Sequence, residues 1–113
     1  DELTHFSWDE YSYLFSRTRS SGPGLRGYIR STANPGGPGH GWVKARFITA
    51  MKPETTIKEI TEIKDPTGKP IQTESDRIFI PSSLFDNADL MRNNPHYLAS
   101  LAMLPEAERN ALL

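Results

Sequence analysis

Apolar side chains recur at helical spacing near the start of the chain. Trp8, Tyr11, Leu14, Phe15 and Thr18 fall on one face, which predicts a helix from Trp8 to about Thr18. Ser7 stands where an N-cap belongs, and Glu10 three residues on completes a capping box. Arg17 and Arg19 close the pattern, where cations suit the helix dipole. Ser20-Ser21-Gly22-Pro23-Gly24 predicts its end. Asp1 to Phe6 shows no helical pattern of its own.

Tyr28 to Ala33 is short and β-compatible, and Pro35 forces Asn34 away from helical angles, so a strand is predicted to end there. A glycine-rich turn, Asn34 to Gly41, separates it from a second helix predicted from Trp42. Val43, Phe47, Ala50 and Met51 form the apolar stripe of that helix. Lys44 and Arg46 border the stripe on opposite sides, and Pro53 ends it. In residues 54–76, Ile57, Ile60 and Ile63 hint at a helix, but the β-branched content and the turn signal Asp65-Pro66-Thr67-Gly68 favour extended structure. Arg77 to Pro81 reads as a buried or half-buried strand. Short helices follow. Asn94 is placed as an N-cap with Pro95 at the first helical position, and Leu98, Leu101 and Ala102 form the apolar face. Pro105 starts another helix, with Glu106 and Glu108 in its first turn.

The chain has 113 residues, the size of one small domain or a piece of a larger one. It opens on Asp1-Glu2 rather than Met, which reads as a segment of a longer protein. A net charge of -1 makes no bulk case for nucleic-acid binding, although basic charge can be confined to one face. The absence of cysteine excludes disulfides and thiolate metal sites. Neither a membrane-spanning apolar run nor a signal peptide is evident.

Seven of the eight glycines lie between Gly22 and Gly41. A strand end that feeds a glycine-rich turn before a helix is where α/β proteins place sites. The turn does not spell the phosphate-binding pattern G-x-x-x-x-G-K-[ST]. It is either an anion cradle at the next helix or a flexible linker, and His40 within it is a ligand, a base or a capping group. Thr32-Ala33-Asn34 carries hydroxyl and amide groups that could sense a phosphate, or Asn34 simply terminates the turn. The Asp1-Glu2 pair is suited to holding a hydrated Mg²⁺ and orienting a water, or is a solvated acidic stretch. Arg30, Lys44 and Arg46 are candidate phosphate or DNA contacts, or ordinary surface charge. His5, His40 and His96 lack metal-ligand spacing. Trp8 and Trp42 read as packing residues.

The run Arg30-Ser31-Thr32-Ala33-Asn34-Pro35-Gly36-Gly37-Pro38-Gly39-His40-Gly41-Trp42-Val43-Lys44-Ala45-Arg46-Phe47-Ile48 resembles the large terminase subunit of tailed bacteriophages and prophages, the DNA-packaging motor. Asp1 to Phe6 resembles the acidic end of that family's Walker B motif and the residues just after it. Ile78 to Asn87 resembles the segment after the ATPase core, and Pro95 to Leu113 the helical stretch leading to the nuclease domain. Residues 52–76 match only loosely.

The resemblance implies an α/β fold: the C-terminal portion of a P-loop NTPase (RecA-like) ATPase domain over residues 1–81, then linker helices over 82–113. It implies that Asp1 helps hold Mg²⁺ through water and that Glu2 is the catalytic carboxylate. It implies that Thr32-Ala33-Asn34, with Ser31 at its edge, is the coupling motif linking hydrolysis to DNA movement. The implied parent uses ATP and Mg²⁺ and cuts DNA with a separate nuclease domain. Its implied partners are double-stranded viral DNA, the portal and procapsid, the small terminase subunit and further copies of itself, in the host bacterial cytoplasm. Walker A, the apolar part of Walker B and the nuclease acidic cluster are all missing from this sequence, so the segment is not expected to hydrolyse ATP alone. It is expected to expose apolar faces. The rival readings are a non-catalytic nucleic-acid-binding module and a structural piece that docks a partner.

Overall fold

The computed structural model describes residues 1–19 and 22–113, which form two compact units. The first comprises Asp1–Val43 and Ser82–Leu113, the second Lys44–Pro81.

The first unit opens with a single 3₁₀ turn, Leu3–His5, followed by helix α1, Trp8–Arg17. Both halves of the expected capping box form. The Ser7 hydroxyl accepts from Glu10 N–H at 3.2 Å, and Glu10 Oε2 accepts from Ser7 N–H at 2.8 Å. Arg19 lies past the last turn, yet its Nε donates to the Ser16 carbonyl and so still satisfies that end. Of the predicted helix stop, Ser20 and Ser21 lie outside the described residues, and Gly22 to Gly24 forms a turn with Gly24 at φ 74°.

Two expectations for the stretch from Tyr28 to Val43 need correction. Tyr28 to Ala33 joins no β-ladder among the described residues; its one backbone bond to another segment runs from Leu3 N–H to the Thr32 carbonyl at 2.8 Å. Pairing stops there because Glu2 is left-handed and Leu3 immediately enters the 3₁₀ turn. The second helix, α2, spans His40–Val43, beginning two residues before Trp42 because His40 is already helical.

The unit ends in short elements. A 3₁₀ turn at Leu84–Asp86 is capped by Ser83 and Asp86, and α3, Ala88–Asn93, is capped by Asn87. Helices α4, His96–Ala102, and α5, Glu106–Leu112, follow. Pro95 rather than Asn94 occupies the N-cap of α4, and Asn94 caps the end of α3 instead. Ser83 Oγ and Leu84 N–H both donate to the Leu113 carbonyl, which ties the start of this region to its end. Leu3, Tyr11, Val43 and Leu101 are buried, whereas Trp8, Leu14 and Phe15 remain more than 40 % exposed. The apolar face of α1 is therefore only partly covered, as expected.

In the second unit a π-helical turn, Lys44–Thr49, precedes strands β1, Ile57–Lys64, and β2, Pro70–Arg77. The strands form an antiparallel hairpin, the only sheet among the described residues. Extended structure wins over helix here because the turn is strongly specified. Gly68 N–H donates to the Asp65 carbonyl at 2.9 Å, Pro66 and Thr67 occupy the turn's centre, and Gly68 takes φ 85°. Arg77 ends β2, so Ile78 to Pro81 is not the predicted strand. Glu54 N–H donates to the Phe79 carbonyl at 2.7 Å, but Pro53 has no N–H to give and Glu54 is left-handed at φ 58°, so no ladder grows from that one bond. No helix among the described residues is long and apolar enough to cross a membrane.

Asp65 makes the turn pH-sensitive. Its Oδ1 accepts from the Thr67 hydroxyl at 2.6 Å and from the Lys69 and Thr67 N–H groups at 2.9 and 2.8 Å. The Thr67 hydroxyl bond, then the Lys69 N–H bond, hold this carboxyl below the ordinary aspartate range despite some desolvation. A depressed folded value means that the stabilisation is complete above the ordinary aspartate range. It is lost as pH falls through the lowered value. The amide shifts of Thr67 and Lys69 are expected to titrate with a midpoint below that of a free aspartate. A midpoint at or above it would contradict the turn geometry.

Candidate functional site

Two segments far apart in sequence meet in the first unit. Thr32 Oγ1 donates to Asp1 Oδ1 at 3.1 Å, across 31 positions. Asn34 Nδ2 lies 3.5 Å from Glu2 Oε1, across 32 positions, at the long limit for a hydrogen bond. Just past the acidic pair, Leu3 N–H donates to the Thr32 carbonyl, and the Thr4 hydroxyl donates to the Asn34 carbonyl at 3.0 Å. The acidic pair is thus held alongside Thr32 to Asn34 by both side-chain and backbone bonds.

Glu2 takes φ 54° and ψ 57°. An L-residue loses about 1–2 kcal/mol in this left-handed region. The conformation lets the chain turn directly from the paired position at Leu3, with Glu2 half-buried and Asp1 exposed.

The glycine loop packs on the same turn. Gly39 N–H donates to the Thr4 carbonyl at 2.6 Å, and Trp42 Nε1 donates to the Phe6 carbonyl at 2.9 Å. A Cβ on Gly39 would meet Phe6 O at 2.4 Å and Thr4 O at 2.9 Å. Gly37 combines φ 80° with a similar approach, 2.8 Å to Thr4 O. These glycines are needed because backbone crosses backbone. Trp42 stacks on Tyr11 at 4.7 Å and meets Trp8 edge-on at 5.5 Å, so both tryptophans are packing residues.

The remaining candidates divide. His40 Nδ1 accepts from Gly36 N–H at 3.0 Å, the capping role among its three readings. Arg30 lies over the Tyr28 ring at 5.1 Å and, with Asp1 and Ser31, lines a cavity of about 140 Å³ whose other walls include Leu3 and Tyr11. Ala33 is exposed. Lys44 and Arg46 belong to the second unit. Lys44 is exposed, while Arg46 is half-buried, its guanidinium 5.7 Å from the Phe47 ring centroid and its carbonyl accepting from Arg77 Nε. Asn34 also lines an open depression of about 620 Å³ with Ser82, Ser83, Asp86, Asn87 and Asp89.

In chemistry alone, Asp1 and Glu2 are donors that a magnesium ion keeping most of its water could use. Mg²⁺ takes one or two carboxylates plus substrate phosphates, and Asp1 and Glu2 are hard oxygen donors of that kind. No group of three or more His, Cys, Asp or Glu side chains among the described residues could cage a metal. Sequence reasoning missed Thr4, the one buried polar residue described. A lone threonine beside an acidic pair carries no periodic signal.

Comparison of the chain with protein-family models, with curated proteins and with solved structures finds no match in any of the three.

Proposed function

We propose that this chain is the C-terminal part of the ATPase domain of a phage terminase large subunit, continuing into the linker toward a nuclease domain. The observation that carries the reading is the meeting of Asp1 and Glu2 with Thr32 and Asn34. A carboxylate pair next to hydroxyl and amide groups on a neighbouring segment is the arrangement such a motor needs. Asp1 would help hold Mg²⁺ through water, and Glu2 would accept a proton from the attacking water. When bound, Mg²⁺ neutralises charge developing on the transferred phosphoryl group. Thr32 and Asn34 donate hydrogen bonds to the carboxylates, so a change at the phosphate would alter bonds at this segment. The glycine loop, joined to it through Thr4, is the element placed to respond.

The full-length protein would supply the phosphate-binding loop, act as an oligomer on the portal with the small terminase subunit, and drive double-stranded DNA into a procapsid in the host cytoplasm. The test is ATP-dependent uptake of double-stranded DNA into procapsids by the full-length protein. Uptake that requires ATP and Mg²⁺ is expected, with no ATP turnover by the 113-residue chain alone. DNA binding that weakens steeply with salt, with no turnover by the full-length protein, would replace this reading by a binding module.

A further inference from the structure

We propose that Thr4 is a positioning residue that sets the coupling segment and the glycine loop against the acidic pair; this rests on the ATPase reading above. Thr4 is 4 % exposed. Two of its polar groups reach different points of the chain: Oγ1 donates to the Asn34 carbonyl at 3.0 Å, and its own carbonyl accepts from Gly39 N–H at 2.6 Å. It is also two residues from Glu2, on the same 3₁₀ turn. One buried residue therefore joins the carboxylate turn, the end of Thr32 to Asn34, and the loop before α2.

The geometry explains why a hydroxyl is needed here. The Asn34 side-chain amide reaches Glu2 Oε1 only at the long limit of 3.5 Å. That contact alone does not fix where Asn34 lies. The Thr4 bond to the Asn34 backbone does; Asn34 is itself exposed, so a carbonyl that loses this donor turns to water instead. Asn34 would then shift relative to Glu2. Misplacement by about 1 Å at a reacting centre lowers rate by about 10²-fold. Gly39 is held by the Thr4 main chain, so a side-chain substitution separates the two links.

The experiment compares Thr4→Val and Thr4→Ser in the full-length protein, with Glu2→Gln as control. ATP turnover, KM for ATP and DNA translocated per ATP are the readouts. Thr4→Val keeps the shape and removes the donor. It is expected to lower kcat by about 10²-fold with KM little changed, and to lower DNA moved per ATP. Thr4→Ser keeps the donor and is expected to restore both. A merely structural role would reduce the active fraction without changing DNA moved per ATP. If Thr4→Val does not fold, as judged by circular dichroism, Thr4→Ala takes its place. The proposal is overturned if Thr4→Ser falls as far as the variant lacking the donor, or if that variant keeps its kcat and its DNA per ATP. Either result, with Glu2→Gln inactive, leaves the ATPase reading standing. Unchanged turnover in Glu2→Gln removes the ATPase reading and the role of Thr4 with it.

Discussion

Replacing Glu2 with glutamine is expected to lower ATP turnover by the full-length protein about 10²–10⁴-fold, the range a positioned general base contributes. The substitution is nearly isosteric. Glutamine's carbonyl can still accept from Asn34 Nδ2, the contact Glu2 makes at 3.5 Å. The left-handed backbone at Glu2, φ 54°, is asked of either residue equally. What disappears is the ability to take a proton from water. Thermal unfolding of the 113-residue chain should accordingly change by no more than about 0.5 kcal/mol. A large loss of stability with no separate loss of rate per folded molecule would make Glu2 a structural residue.

Gly39→Ala is expected to have the largest effect on folding. Its new methyl would sit 2.4 Å from Phe6 O and 2.9 Å from Thr4 O. Both neighbours are backbone, and the Thr4 carbonyl is already bonded to Gly39 N–H, so neither can swing aside as a flexible side chain would. Overpacking of this kind destabilises by about 1–3 kcal/mol, enough to lower Tm by on the order of 10 °C in a chain this size. Gly41→Ala is the matched control. Gly41 lies within α2 and a Cβ there meets nothing within 4 Å. Alanine is the better helix former, so that variant should gain about 0.5–1 kcal/mol. Equal effects of the two substitutions would show that glycine is used in this loop for flexibility alone.

The contrast between these glycines marks how far the sequence could be read. The capping box of α1 and the turn at Asp65 to Gly68 were legible because each is encoded within a few neighbouring residues. The hairpin followed from that turn and its β-branched flanks. Tyr28 to Ala33 has strand composition, but a strand also needs a partner, and the partner segment leaves after Leu3. The same limit applied to Ile78 to Pro81. A glycine-rich run announces itself, but not which glycine is crossed by another backbone; that depends on Phe6 and Thr4, more than thirty positions away. The meeting of Asp1 and Glu2 with Thr32 and Asn34 is equally nonlocal. The residues were singled out from their chemistry and a family resemblance, whereas Thr4, which joins their segments, had neither signal.

On the proposed function, the acidic pair and the Thr32 to Asn34 segment work as one site. A double-substitution cycle on ATP turnover by the full-length protein decides this, using Glu2→Gln, Asn34→Ala and the two combined. If the groups act together, each single variant loses turnover and Asn34→Ala adds little once Glu2 is gone. Losses that simply multiply, or full turnover in Glu2→Gln, would contradict the claim.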